Sequence, residues 1–184
     1  MKFNFKIQGY QSDAVESTID IFNGQPHYMR RNYIRDLGKT THKPAQMQLP
    51  MNDEYGETID LETEIGFKNE SIELTNEQIL RNIRKIQTLN NIKQSDDIAG
   101  HLGRCSLDIE METGTGKTYV YIKTMFELNK RYGWSKFIVV VPSIAIREGV
   151  KKSFEMTVDH FMEHYGKKAR FFIYNSSNLN QLDN

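Results

Sequence analysis

The sequence contains little that would cross-link the chain or insert it into a membrane. Cys105 is its single cysteine, so no internal disulfide can form, and a reducing cytoplasm is the expected compartment. No apolar run approaches the roughly 20 residues of a membrane-spanning helix, and the N-terminus lacks the apolar stretch of a signal peptide. Lysine plus arginine equals aspartate plus glutamate, at 24 each, so net charge gives no indication of a polyanionic partner. The chain is expected to be globular, with no membrane among its partners.

The segment before residue 105 contains two predicted helices separated by a long irregular stretch. Ser12 is expected to cap the first, whose apolar residues recur at helical spacing as far as Phe22. Thr75 and Gln78 fit a capping box, in which each side chain bonds the other residue's backbone amide, and an apolar stripe follows. Residues 25–66 show no sustained period, and 25–100 as a whole is expected to be an insertion ahead of the functional core.

From residue 105 the period changes, and the pattern predicts alternating strands and helices. Strands are expected at 107–112, 137–141 and 171–174, and the second is an unbroken apolar run typical of a strand buried on both faces. Helices are expected at 120–131 and 144–165, each ended by a nearby glycine. The resulting β-α-β-α-β order over residues 105–174 predicts an α/β fold with a parallel sheet and right-handed crossovers.

The residue types that a phosphate-binding loop requires occur together in Met111-Glu112-Thr113-Gly114-Thr115-Gly116-Lys117-Thr118. Gly114 and Gly116 let the turn aim backbone N–H groups at oxygen, and the helix expected after them adds the positive end of its dipole. Lys117 can reach the β and γ phosphates, and the Thr118 hydroxyl can ligate Mg²⁺. Residues 113–118 are therefore predicted to bind ATP with Mg²⁺.

This loop departs from the general pattern at one position. Glycine ordinarily stands five residues before the second loop glycine, and Met111 occupies that place. The shorter Gly-x-Gly-Lys-Thr core keeps every element that contacts phosphate, and a strand before it and a helix after it are the expected context. A chance glycine-rich turn is the alternative, which the Gly-Lys-Thr tripeptide alone would not exclude.

The same loop resembles motif I of superfamily 2 helicases and translocases. A longer stretch, from Glu110 to Phe161, resembles the ATPase-translocase (Res) subunit of type III restriction-modification enzymes. That resemblance rests on the loop as far as Tyr121 and on Val141-Pro142-Ser143-Ile144-Ala145-Ile146-Arg147-Glu148-Gly149-Val150. It extends to Tyr10-Gln11-Ser12-Asp13-Ala14-Val15, which is similar to the glutamine motif on the adenine side of such sites.

The resemblance implies a fold and a nucleotide site. Residues 1–184 would be the N-terminal part of the first RecA-like motor domain, an incomplete P-loop NTPase domain. Gln11 would hydrogen-bond the adenine edge, with Tyr10 or Phe5 packed on the ring. Lys117 would hold the phosphates and Thr118 the metal as the catalytic pair. The nucleotide site would be completed by Thr113, Gly114, Thr115 and Gly116.

The resemblance also implies a contact with nucleic acid. Pro142, Ser143 and Arg147 would lie in motif Ia, which touches the DNA backbone in these motors. The start of the helix after Ser143 is a position that suits phosphate. Without the resemblance, Pro142-Ser143 is an ordinary helix start.

Two parts of the family's catalytic machinery have no counterpart in the sequence. No apolar strand ends in an Asp-Glu pair that would organise Mg²⁺ and the attacking water, and no second motor domain supplies an arginine finger. Asp108, Glu110 and Glu112 lack the lysine of a restriction-type nuclease site, and nothing in the sequence explains them. The chain alone is expected to bind nucleotide weakly and not to hydrolyse it efficiently.

The expected parent protein is an ATP-dependent hydrolase, the DNA-translocating motor subunit of a type III restriction endonuclease. Its partners would be double-stranded DNA and a methyltransferase (Mod) subunit, and its location cytoplasmic. Two alternatives stay open. The chain could belong to another superfamily 2 DNA or RNA helicase, or be a catalytically silent nucleotide-binding module.

A separate pattern, the His-x-x-Glu-His arrangement of some zinc peptidases, occurs at His160-Phe161-Met162-Glu163-His164. On a helix it would place both histidines on one face with Glu163 as base. A third ligand is required, and the 20 residues after His164 contain no His, Cys or Glu. Two solvated helix histidines are the expected interpretation.

Overall fold

Four helices make up the regular structure of the described part of the chain. The computed structural model describes residues 5–27, 69–100 and 103–173, which contain α1 (Gly9–Asp20), α2 (Asn76–Leu89), α3 (Lys117–Tyr132) and α4 (Ile144–Tyr165). Helix α3 packs against both α1 and α4, and α1 also contacts α2. None of the helices within these ranges is long and apolar enough to cross a membrane.

The expected α/β fold with a RecA-like parallel sheet is wrong for these residues. The described ranges contain no strand, so the β-α-β-α-β order expected over residues 105–174 is reduced to its two helices. Ile138 and Val140, expected to be covered on both faces of a sheet, are 91% and 88% exposed. Tyr174, which would end the third strand, lies outside the described residues.

The physical reason is that an apolar run is not sufficient for a strand. Alternating or continuous apolar side chains suit a pleated surface, but a strand forms only when a neighbouring segment bonds its backbone N–H and C=O groups. Residues 107–112 and 137–141 have the composition of strands and are not paired as strands in the described part of the chain. The prediction that these two segments are strands of a parallel sheet is therefore wrong for the described residues.

Side-chain caps begin two of the helices. The Thr75 hydroxyl accepts a hydrogen bond from the Gln78 amide at 3.2 Å, and the Gln78 side chain accepts one from the Thr75 amide at 2.7 Å. The predicted capping box is therefore confirmed. Ser143 caps α4 by accepting from the amide of Ile146 at 3.3 Å.

The other boundaries also follow local conformation. Gly133 and Gly166 end α3 and α4 in the left-handed region, with φ of 78° and 65°. Ser12 was a wrong prediction as the cap of α1, because that helix begins earlier, at Gly9, with Gln8 as its extended N-cap. The apolar pattern that suggested Ser12 starts later than the helix, whose first turn is polar.

Helix α3 contributes to two apolar clusters. The first joins it to α1 and α2 and contains the fully buried Val15, Ile19 and Ile79, with Trp134 at 7% exposure. The second joins α3 to α4 through a buried set made of Ile122, Phe154 and Phe161. Each fully buried aliphatic or aromatic side chain contributes about 1.5–3 kcal/mol. Helix α3 is therefore held by apolar contacts with α1 and α4, and the first cluster continues from α1 to α2.

Polar contacts align α1 beside α3. The Lys123 ammonium donates to the Ser12 hydroxyl at 3.1 Å, and Arg131 donates to Asp20 at 3.3 Å. Both pairs join residues 111 positions apart, so the two helices run in the same direction. The first turn of α1 is thereby brought to the first turn of α3.

Gln25 connects the end of α1 to the segment before α2. Its side-chain nitrogen donates to the Ser71 carbonyl at 3.1 Å, and its oxygen accepts from the Glu73 amide at 2.9 Å. The chain therefore leaves α1 and returns beside it before α2 begins. Residues 28–68, most of the expected insertion, lie outside the described residues.

Candidate functional site

Residues 111–116 form a loop that leads directly into α3. Gly114 and Gly116 have φ of 83° and 85°, in the left-handed region that glycine adopts without strain. Gly116 is the N-cap of α3, and no side chain caps that helix. The amides of its first turn therefore face the loop without a capping oxygen, which is the arrangement that an anion can complete.

The Lys117 side chain folds back over this loop. Its ammonium donates to the Glu112 carbonyl at 2.7 Å and also to the Met111 carbonyl. The Thr115 hydroxyl donates to the same Glu112 oxygen at 2.6 Å. The ammonium is thus held beside the loop glycines by two neutral carbonyls, which a charged phosphate oxygen would outcompete because charge-assisted hydrogen bonds are stronger.

Two side chains from the first turn of α1 also hold the loop. The Gln11 side-chain nitrogen donates to the Thr115 carbonyl at 2.8 Å, and the Tyr10 hydroxyl donates to the same oxygen at 3.2 Å. Gln11 is 9% exposed, and its nitrogen lies 2.5 Å from where a Cβ on Gly116 would be. Gln11, predicted as an adenine contact, is therefore next to the 111–116 loop and bonded to its backbone.

The remaining predicted nucleotide residues lie in the same place. Thr113 and Gly114 are exposed in the turn, and Thr118 is the half-buried second residue of α3. Across the described ranges, no group of three or more His, Cys, Asp or Glu side chains is placed to hold a metal ion. The metal role predicted for the Thr118 hydroxyl stays a prediction.

The predicted DNA-contacting residues form a second group at the start of α4. Pro142 and Ser143 are exposed, and the Ser143 hydroxyl is occupied as the helix cap. Arg147 pairs with Glu148 at 3.2 Å. None of the polar contacts of Ser143 and Arg147 within the described chain reaches the phosphate loop. A phosphate bound here would compete with Glu148 for the Arg147 guanidinium.

His160 is a residue that sequence reasoning placed wrongly. It is 8% exposed, between α3 and α4, and its Nε2 lies 2.9 Å from the Tyr119 hydroxyl oxygen. His164 is exposed, with Nδ1 2.9 Å from the His160 carbonyl oxygen. The signal was present in the sequence, because the buried residues of α4 recur at helical spacing: Phe154, Thr157, His160 and Phe161.

The Tyr119–His160 pair is neutral near neutral pH. Burial lowers the pKa of His160, and the neighbouring His164 lowers it further. Burial raises the pKa of the Tyr119 hydroxyl. The Tyr119 hydroxyl and His160 Nε2 therefore share a hydrogen bond between two neutral groups, and the tautomer of the imidazole sets which of them donates.

A family model, the Res subunit of type III restriction enzymes, matches residues 4–181, which include the 111–116 loop and the start of α4. The chain belongs to this family. It is similar to the Res subunits of the type III restriction-modification enzymes EcoP15I of Escherichia coli and EcoPI of Escherichia phage P1. The identities are 34% over 141 and 143 residues, in both cases 73% of this chain. The StyLTI Res subunit of Salmonella typhimurium is 45% identical over 64 residues, 35% of the chain.

Family membership confirms the resemblance inferred from the sequence. It argues against the alternative that the chain belongs to a superfamily 2 helicase unrelated to restriction. The match to the first two relatives spans 14% of their own length. The chain therefore corresponds to a small part of each of these relatives, and family membership does not assign it a particular chemical step.

Proposed function

We propose that this chain is the ATP-binding segment of a DNA-translocating motor in the Res subunit of a type III restriction endonuclease. One observation carries the proposal: in residues 111–117, two left-handed glycines, an uncapped helix start and a lysine ammonium meet. Family membership supports the motor, because the relatives are Res subunits of restriction-modification enzymes.

In this proposal, Mg²⁺-ATP binds where the loop meets α3. The first-turn amides hold the phosphates together with Lys117, which exchanges its carbonyl contacts for phosphate oxygens. Thr118 ligates Mg²⁺, which when bound neutralises charge on the β and γ phosphates. Thr113, Gly114, Thr115 and Gly116 line the phosphates.

Gln11 has a place in the same proposal. Its amide would bond the adenine edge, and the Tyr10 ring would pack on the base, since that ring is 51% exposed beside the loop. The Gln11 nitrogen donates to the Thr115 carbonyl in the described chain. On binding adenine, it would either keep this hydrogen bond or give it up for one to the base. The side-chain oxygen is the group that can accept from an adenine amino group.

The wider assignment concerns DNA and a partner. Pro142, Ser143 and Arg147 are proposed to contact the backbone of double-stranded DNA, with a methyltransferase (Mod) subunit as the partner that reads sequence, in the cytoplasm. Residues 105–174 would be the nucleotide-binding core and 25–100 an insertion.

The chain alone is proposed to bind nucleotide without efficient hydrolysis. A catalytically silent module is the second candidate, and the lack of an apolar strand pattern ending in Asp-Glu favours it for the isolated chain.

Titration with Mg²⁺ and a fluorescent ATP analogue tests the nucleotide site. We expect saturable binding by the unmodified chain and a Kd raised about tenfold or more in Lys117→Ala, because a hydrogen bond to a charged group contributes about 1.5–3 kcal/mol. The matched control is Lys130→Ala, which removes the same charge from the exposed far end of α3 and should bind as the unmodified chain does. Equal binding by Lys117→Ala, or none by the folded unmodified chain, would contradict the proposal.

A further inference from the structure

Three rings from separate parts of the chain meet beside the start of α3. Phe5 precedes α1, Tyr119 is in the first turn of α3, and His160 is on α4. The Phe5 ring centre lies 6.2 Å from that of Tyr119, with the rings 20° from parallel, and 5.2 Å from that of His160. We call Phe5, Tyr119 and His160 the Tyr119 cluster. Its central residue, Tyr119, lies two positions after Lys117.

The Tyr119 cluster holds the ring in a fixed position. The Tyr119 hydroxyl shares its hydrogen bond with His160 Nε2 at 2.9 Å, and the ring also stacks on Phe161 at 5.4 Å. His160 is buried, so water competes little for this bond, and a shielded hydrogen bond is stronger than an exposed one. A first-turn side chain fixed at both its ring and its hydroxyl limits how the start of the helix can tilt.

The tilt of that first turn matters for the proposed nucleotide site. Its amides and the Lys117 side chain must meet phosphate oxygens within hydrogen-bond distance, and displacements of about 0.5–1 Å are enough to weaken such contacts. Gln11 and Tyr10 hold the loop at the Thr115 carbonyl. The Tyr119 cluster holds the other side of the same junction, the helix itself.

We propose that His160 is a positioning residue for the nucleotide site. Through its bond to the Tyr119 hydroxyl it fixes the first turn of α3 in the orientation that presents Lys117 and the helix amides to phosphate. His160 itself touches no nucleotide. This inference rests on the proposed function, because it requires residues 113–118 to bind ATP.

The inference gives α4 a second role. Ser143, at its start, belongs to the proposed DNA contact, and His160 lies 17 residues further along the same helix, about 25 Å at 1.5 Å per residue. A displacement of α4 would therefore act on the start of α3 through His160. The two proposed contacts, with DNA and with nucleotide, share one rigid helix.

The test is a double-mutant cycle read out as nucleotide affinity. Tyr119→Phe, His160→Phe and the double variant are titrated with the Mg²⁺-ATP analogue, and their thermal unfolding is measured separately. We expect each single variant to raise Kd about three- to tenfold. The double variant should be no weaker than either single one, because all three lack the same bond.

Two further variants separate positioning from general packing. His160→Gln carries an amide that can reach the position of Nε2, and it should restore Kd to within about twofold of the unmodified chain. The matched control is His164→Phe, one turn further along α4 and exposed, which should leave Kd unchanged. Tyr119→Phe keeps the ring and decides the outcome if His160→Phe does not fold.

Two results would overturn the inference while leaving the proposed function intact. One is unchanged nucleotide affinity in Tyr119→Phe and His160→Phe, with a lowered melting temperature, which would make the bond purely structural. The other is a double variant whose loss is the sum of both single losses. Absence of saturable binding by the unmodified chain would overturn the proposed function, and this inference with it.

Discussion

Gln11 determines which residue can occupy a position far away in the sequence. Its side-chain nitrogen, held by the Thr115 carbonyl, lies 2.5 Å from where a Cβ on Gly116 would be. Gly116 is thus favoured by its positive φ, and a Cβ there would also displace the Gln11 amide from its bond to Thr115. Gly114 has nearly the same φ, 83° against 85°, but open space around the corresponding position. The sequence predicted that both glycines serve the turn of the loop. The structure shows that they differ, because only Gly116 has a side chain close to the position of a Cβ.

This difference predicts unequal costs for two alanine substitutions. Gly114→Ala should lower the free energy of unfolding by about 1 kcal/mol, the cost of a left-handed alanine, and Gly116→Ala by more. In a Gln11→Ala background the cost of Gly116→Ala should fall to that of Gly114→Ala. Urea unfolding followed by the fluorescence of Trp134, the single tryptophan, measures these three costs. Equal costs of the two substitutions beside an intact Gln11 would contradict this explanation.

At the scale of elements, helices were predictable and pairing was not. Thr75, Gln78, Gly133 and Gly166 mark helix ends through contacts within a few residues, so the sequence contains the whole signal. A strand forms only beside a second segment that bonds its backbone, and the local sequence does not identify that segment. Residues 137–141 therefore suggested a sheet that the described chain does not form, although their composition is that of a strand.

The contact between α3 and α4 contains a titratable group with a predictable effect. Burial lowers the pKa of His160 below 6.5, assisted by His164 and Lys123 and opposed by Glu163. The unfolded chain then binds the proton more readily than the folded chain. The stabilisation from neutral His160 is therefore complete above about pH 6.5 and is lost as pH falls toward the lower folded pKa.

Unfolding experiments across this range should detect that loss. Between about pH 7 and about pH 5, the free energy of unfolding should fall less steeply in His160→Gln than in the unmodified chain, because the titrating group is gone. His164→Gln, which changes the exposed neighbour, should lose much less of the slope. The same slope in His160→Gln and in the unmodified chain would show that His160 does not titrate differently on folding.

At the scale of the whole molecule, α3 connects the parts of the candidate site. Helix α1 reaches the loop through Gln11, and α4 reaches the first turn of α3 through His160. The loop residues, and Gln11 beside them, were predictable because they share one motif and one family pattern. The helical spacing of α4 could have indicated that His160 is buried. Its contact with Tyr119 was not predictable, because that contact depends on packing between α3 and α4. Nucleotide binding at this junction should therefore stabilise all four helices together.

Thermal unfolding of the whole chain with increasing Mg²⁺-ATP tests most directly whether residues 113–118 bind nucleotide. A ligand that binds only the folded state stabilises it by about 2.7 kcal/mol at 100 times its Kd. The melting temperature should therefore rise with nucleotide concentration in the unmodified chain and in Lys130→Ala, and rise clearly less at the same concentrations in Lys117→Ala. A melting temperature that ignores nucleotide in the unmodified chain, or that rises equally in Lys117→Ala, would contradict the nucleotide site.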